Sequence, residues 1–194
     1  NAINGDGTVI VGGIESKDDP DAYTAAVWHG ENWDTVTALL TLKKDNSGSA
    51  TALATNHSGD FIAGISDIDD GSKQQGIVWY GQDWQNKMQL PLPKSTTSIA
   101  EDYTNWITEP KAISDNGTMI VGKIDNGDGD QYRATLWYGN EWQTAVLLPP
   151  LKPTDDNKAI NFNNWQSEAT GISTDNKVIS GSSQGRAVLW YVAA

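Results

Sequence analysis

Ala112-Ile-Ser-Asp-Asn-Gly-Thr-Met-Ile-Val-Gly122, followed after an acidic loop by Ala134-Thr-Leu-Trp-Tyr-Gly-Asn-Glu-Trp-Gln-Thr-Ala-Val-Leu-Leu148, is the stretch that decides the fold. β-Branched and aromatic residues cluster there in short runs between Gly, Asn, Asp and Pro, a pattern that reads as strands. It predicts strands at Lys111 to Ser114, Thr118 to Gly122, Arg133 to Tyr138 and Trp142 to Leu148. Asp115-Asn116-Gly117 joins the first two, because Asn and Gly accept the positive φ of a tight hairpin turn.

Outward from this stretch the same grammar recurs. A Gly closes a short apolar run at Gly12, Gly64, Gly122 and Gly181, at intervals of 52, 58 and 59 residues. A Trp closes the next apolar run in each case, at Trp28, Trp79, Trp137 and Trp190. Two anchors in the same order, repeated along the chain, identify a repeated supersecondary unit. Four units follow, approximately 1–49, 50–107, 108–166 and 167–194, the last lacking a fourth strand. Three of them spell W-H-G-E-N-W, W-Y-G-Q-D-W and W-Y-G-N-E-W, so Trp28 and Trp33, Trp79 and Trp84, and Trp137 and Trp142 flank short loops. If these loops close hairpins directly, each Trp pair faces across two strands and stacks.

A four-stranded antiparallel unit cannot bury both faces alone, so neighbouring units must stack. The expected fold is all-β, a β-propeller-like array of four-stranded units, with a stacked β-solenoid or β-sandwich as the alternative. Since the fourth unit stops short, closure of a ring calls for shared strands, further residues or self-association with another copy.

Composition narrows the function. The formal charge is −12, from 25 acidic and 13 basic residues, which repels a nucleic-acid backbone. There is no cysteine, which removes disulfides, thiolate ligands and a cysteine nucleophile. No apolar run is long enough to be a transmembrane helix. His29 and His57, the two histidines, fall at unrelated repeat positions, so a histidine-based triad is not expected. Arg133 and Arg186 are the two arginines, too few for a sialidase-like carboxylate clamp despite the Ser114-Asp115-Asn116-Gly117-Thr118 string. The chain reads as non-enzymatic; a glycan-binding, lectin-like propeller and a propeller-scaffold hydrolase are the alternatives.

These residues resemble the extracellular repeats of the HAF family, found in bacterial surface proteins and autotransporter passenger regions. The resemblance is carried by Ala112-Ile113-Ser114-Asp115-Asn116-Gly117 to Gly122, by Gly171-Ile172-Ser173 to Gly181, and by Leu42-Lys43-Lys44-Asp45-Asn46-Ser47-Gly48. It implies export by a Gram-negative bacterium and display outside the cell as an adhesin-like binding or structural module. It supplies no catalytic or binding residues. The second and third links depart from the family pattern by longer, Trp-bearing inserts.

Two candidate sites follow from the residues themselves. The inserts contribute Tyr103, Asn105 and Trp106, with Phe162, Asn163, Asn164 and Trp165, an aromatic face beside amide donors suited to a small polar ligand; the competing reading is that they pack on one another. The loop Asp125-Asn126-Gly127-Asp128-Gly129-Asp130 offers Asp125, Asp128 and Asp130 as oxygen ligands for calcium, with solvated turn acids as the simpler reading. A protein or polysaccharide partner at the surface is expected, with no nucleic acid.

Overall fold

The computed structural model describes residues 1–17, 22–69, 73–94, 102–151 and 166–192. Among the described residues fifteen strands form four antiparallel sheets, each a meander of sequential neighbours. The first holds β1 (Ala2–Ile3), β2 (Ile10–Glu15), β3 (Tyr23–His29) and β4 (Thr35–Ala38); the second β5 (Ala50–Thr55), β6 (Ile62–Asp67), β7 (Gln74–Tyr80) and β8 (Asn86–Gln89). The third holds β9 (Ile107–Ile113), β10 (Ile120–Asp125), β11 (Tyr132–Tyr138) and β12 (Thr144–Leu147), and the fourth β13 (Ser167–Ile172), β14 (Val178–Ser183) and β15 (Arg186–Tyr191). No helix among the described residues is long and apolar enough to cross a membrane.

Each first hairpin is closed by the same hydrogen-bonded turn. Asn4, Asn56, Ser114 and Ser173 open it, and their side-chain oxygens accept the N–H of Val9, Phe61, Met119 and Val178 at 2.9–3.0 Å. The following residue but one, Asp6, Asn116 or Asp175, accepts the N–H two places on, as Asx turns do. A left-handed residue is then needed: Gly7, Gly59 and Gly117 supply it, and Asn176, at φ 61°, takes that place in the fourth sheet.

The recurrent strand Gly has a different cause. In the last three sheets the first strand carries a bulge opposite it, at Ala52/Ala54 for β5, Pro110/Ala112 for β9 and Ala169/Gly171 for β13. That bulge pushes a backbone carbonyl onto the Gly. A Cβ on Gly122 would lie 2.1 Å from the Glu109 oxygen, and Gly64 and Gly181 meet the same obstruction from Thr51 and Glu168. Pro110 explains why β9 begins four residues before the predicted start: a proline is tolerated at a bulge, where the ladder is already interrupted.

Sheets stack by seating the first strand of one against the second and third strands of the sheet before it. Three apolar cores result, one per junction. Val11, Ala25, Val27 and Leu39 meet Ala52, Ile62, Ile77 and Trp79 at the first; Ala63, Val78 and Leu90 meet Ile113, Ile120, Ile124 and Trp137 at the second; Val121, Ala134, Leu136 and Leu148 meet Ala169, Ile179 and Trp190 at the third. Each junction is pinned by an indole. Trp79, Trp137 and Trp190 donate Nε1–H to the carbonyls of Leu40, Pro91 and Pro149, at 2.7–2.8 Å, where the preceding sheet's last strand leaves.

The expected stacking of Trp pairs across one hairpin does not occur. Trp28, Trp79 and Trp137 pair instead with Val36, Lys87 and Ala145, because Trp33, Trp84 and Trp142 lie inside the loop at positive φ. From there each of the three donates to a carbonyl in the first turn of its own sheet, Gly7, Gly59 or Gly117. In the second and third sheets the first Trp of the pair therefore ties sheet to sheet, and in all three sheets the second ties loop to turn.

Candidate functional site

The second junction leaves a hollow of about 260 Å³ where the Tyr138-Gly139-Asn140-Glu141-Trp142 loop approaches the second sheet. Its placement follows from the loop's backbone. Gly139 at φ 86°, then Glu141 and Trp142 at φ 50° and 53°, turn the indole inward to reach the Gly117 carbonyl at 2.9 Å. Phe61 and Tyr80 of the second sheet meet that indole edge-on, with centroids 5.3 and 6.1 Å away. The floor is thus aromatic, with Trp142 buried and Phe61 and Tyr80 half-buried.

Around it stand Asn116, Thr118, Asn140 and Glu141, all exposed. The Asn116 side-chain oxygen is occupied by its turn, receiving Ser114 Oγ, Thr118 N and Thr118 Oγ1 at 2.8–3.1 Å, so its amide NH₂ is what it offers outward. Asn140 and Glu141 make no side-chain hydrogen bond to the described residues and are available to a ligand. Apolar faces below and amide and carboxylate groups at the rim form the surface that a ring with one apolar face and several hydroxyls requires. The first junction places His29 edge-on to Trp84 at 5.4 Å in the corresponding position, but Val9 stands there in place of Phe61.

Charge gathers elsewhere, along β9, β10 and β13. Lys111 meets Glu109 at 2.6 Å and Glu168 at 3.4 Å, while Lys123 meets Glu109 at 3.2 Å and Asp125 at 3.4 Å. Burial pushes the Glu109 carboxyl up, but the hydrogen bond and charge of Lys111, joined by Lys123, outweigh it and hold Glu109 below the ordinary range. Burial likewise pulls Lys111 and Lys123 down, and their carboxylate partners more than reverse it. This network satisfies itself and stitches the third sheet to the fourth.

The insert residues Tyr103 and Trp106 are core, not an open aromatic face. They meet edge-on at 5.1 Å, Trp106 lies under the Arg133 guanidinium, and the Trp106 carbonyl accepts Gln75 Nε2 at 2.9 Å. Only Asn105 of the three is exposed, and it accepts Lys73 Nζ at 3.0 Å. Phe162, Asn163, Asn164 and Trp165 lie outside the described residues.

Asp125, Asp128 and Asp130 do not converge on a common point. Asp125 is buried, accepts the Gly127 N–H and faces Lys123; Asp130 accepts Asn126 Nδ2; Asp128 is exposed. Among the described residues no group of three His, Cys, Asp or Glu side chains is placed to hold a metal ion. A short loop with glycines on either side of Asp128 turns its carboxylates apart instead of around a centre.

The hollow at the second junction was not anticipated from the sequence. Its residues come from two units and from four separate turns and strands, so no contiguous motif spells it. The W-Y-G-N-E-W loop was visible, but its inward-turned second Trp was not. Comparison with family models and with curated proteins finds no match.

Proposed function

We propose that this chain is a non-enzymatic binding module in which the four sheets are consecutive blades of a propeller-like array, displayed outside a bacterial cell. The hollow at the second junction binds a sugar ring of a surface polysaccharide or glycan. One observation carries this reading: Phe61, Tyr80 and Trp142 form an aromatic floor beneath the unoccupied side-chain groups of Asn140 and Glu141. Extracellular display comes from the resemblance to HAF-type repeats, and the strongly acidic balance of the chain is compatible with it.

Neither histidine lines the hollow. His29 is committed to Thr37 at 2.9 Å, and His57 lies in a turn beside Gly5.

The test is a glycan array followed by calorimetric titration of the best ligand, using the wild type and an Asn140→Ala, Glu141→Gln double variant. Because both positions are exposed, folding is unchanged and affinity is expected to fall at least about tenfold, the loss that goes with one or two hydrogen bonds to a ligand. Absence of binding to every glycan, or equal affinity in the variant, refutes the assignment.

A further inference from the structure

Every internal junction joins the same two faces, and the two ends of the array each present one of those faces uncovered. The forward face centres on the third-strand residue before the Trp. Val27 and Val78 are 0% exposed and Leu136 is 6%, but their equivalent on β15, Leu189, is 58% exposed. Ala187 beside it is exposed too, where Ala25 and Ala134 are fully buried.

The opposite face centres on the Trp. Trp79 and Trp137 are fully buried, while Trp28 of the first sheet is half-buried, and its indole N–H reaches none of the carbonyls that its three counterparts use. Ile14, at 42%, is exposed where Ser66, Ile124 and Ser183 are fully buried, and Ile3, at 56%, is exposed where Ile113 is 7%. Ile10, Gly12, Trp28 and Trp33 line an open cavity of about 410 Å³ on this side.

We propose that these two faces belong together and that a second copy of this chain covers them, the Leu189 face of one copy docking on the Trp28 face of the next. The occupant is specified by the three junctions already present: each seats an aliphatic third-strand residue against a first-strand and Trp surface of the same kind. The association is head to tail because the two faces differ and lie on the first and last sheets. The proposal stands apart from the sugar-binding assignment, which uses residues of the second junction.

Two variants with one damaged face each test it by sedimentation. Wild-type protein is expected to sediment at a mass at least twice the 21.0 kDa of one chain, in a concentration-dependent way. Leu189→Asp and Ile14→Asp should each abolish self-association when alone, and Ile3→Asp should repeat the second result. All three sites are exposed, so circular dichroism and thermal melts should show folded protein. Mixed in equal amounts, Leu189→Asp and Ile14→Asp retain one intact pair of faces and should form a one-to-one dimer. A wild-type protein that stays monomeric at all concentrations overturns the proposal. So does association that survives in either single variant, or a mixture that fails to recover the dimer.

Discussion

Replacing Gly122 by Ala tests whether the bulge opposite the repeated Gly determines this residue. The added methyl carbon would lie 2.1 Å from the Glu109 oxygen, 2.9 Å from Pro110 Cα and 3.0 Å from the Glu109 carbonyl carbon. All three are backbone atoms, so no side-chain rotation relieves the overlap, and comfortable carbon contacts need about 3.5–4.0 Å. Either β9 moves away from β10, losing the ladder beside Pro110, or the bulge is rebuilt. Overpacking of a core costs about 1–3 kcal/mol where side chains can adjust, and a rigid backbone places this variant at or above about 3 kcal/mol. At roughly 2–4 °C per kcal/mol for a domain of this size, Tm should fall by about 6–12 °C. Gly13→Ala is the control, because its nearest neighbours lie at 3.5–3.6 Å, ordinary contact, and it should shift Tm by less than about 2 °C. Thermal melts followed by circular dichroism compare the two. If Gly122→Ala melts within a degree or so of wild type, the close approach of β9 is not what the Gly accommodates.

Two further outcomes follow from the same structure. Trp137→Phe removes a buried indole and leaves the Pro91 carbonyl without its 2.8 Å donor, so it should cost about 2–4 kcal/mol in denaturant unfolding; Trp28→Phe, at the half-buried position without that bond, should cost less than about 1 kcal/mol. Stability should also depend on pH at both extremes. The depressed carboxyl of Glu109 contributes fully above its unfolded value and loses that contribution as pH falls through its folded value, while the raised Lys111 and Lys123 contribute below their unfolded value and lose it as pH rises through theirs. Unfolding midpoints measured from about pH 3 to 11 should therefore form a plateau with two falling limbs, and Glu109→Gln should weaken both, since it removes the acid's own titration and the lysines' main partner. An unchanged profile in that variant would mean the network contributes nothing.

Strand order, turn positions and the four-unit division were written locally. Asn4, Asn56, Ser114 and Ser173 each bond a backbone N–H five residues on, and Gly or Asn follows where φ must be positive, so the hairpins need no distant partner to be specified. The apolar alternation of Ile120 and Val121 against Leu136 and Trp137 likewise marks both faces of one sheet for burial. Outcomes that depend on direction or on a neighbouring sheet are not written in one unit. The strand expected from Lys111 starts earlier, with Pro110 at a bulge inside β9, because the sheet tolerates a missing N–H where its ladder already breaks. Tyr103 and Trp106 were open to two readings, a ligand face or packing of one insert on the other, and they are core between the second and third sheets.

The sequence by itself determined that this is a repeat of antiparallel sheets, because hairpin chemistry acts over fewer than about ten residues and is visible in one unit. Only the tertiary structure decided what the tryptophans do. Left-handed backbone inside each loop sends one indole to its own turn, and sheet stacking sends the other to the preceding sheet's carbonyl. The hollow lined by Phe61, Tyr80 and Trp142 exists for the same reason, since its walls belong to units about 60 residues apart and meet only when one sheet is laid on the next.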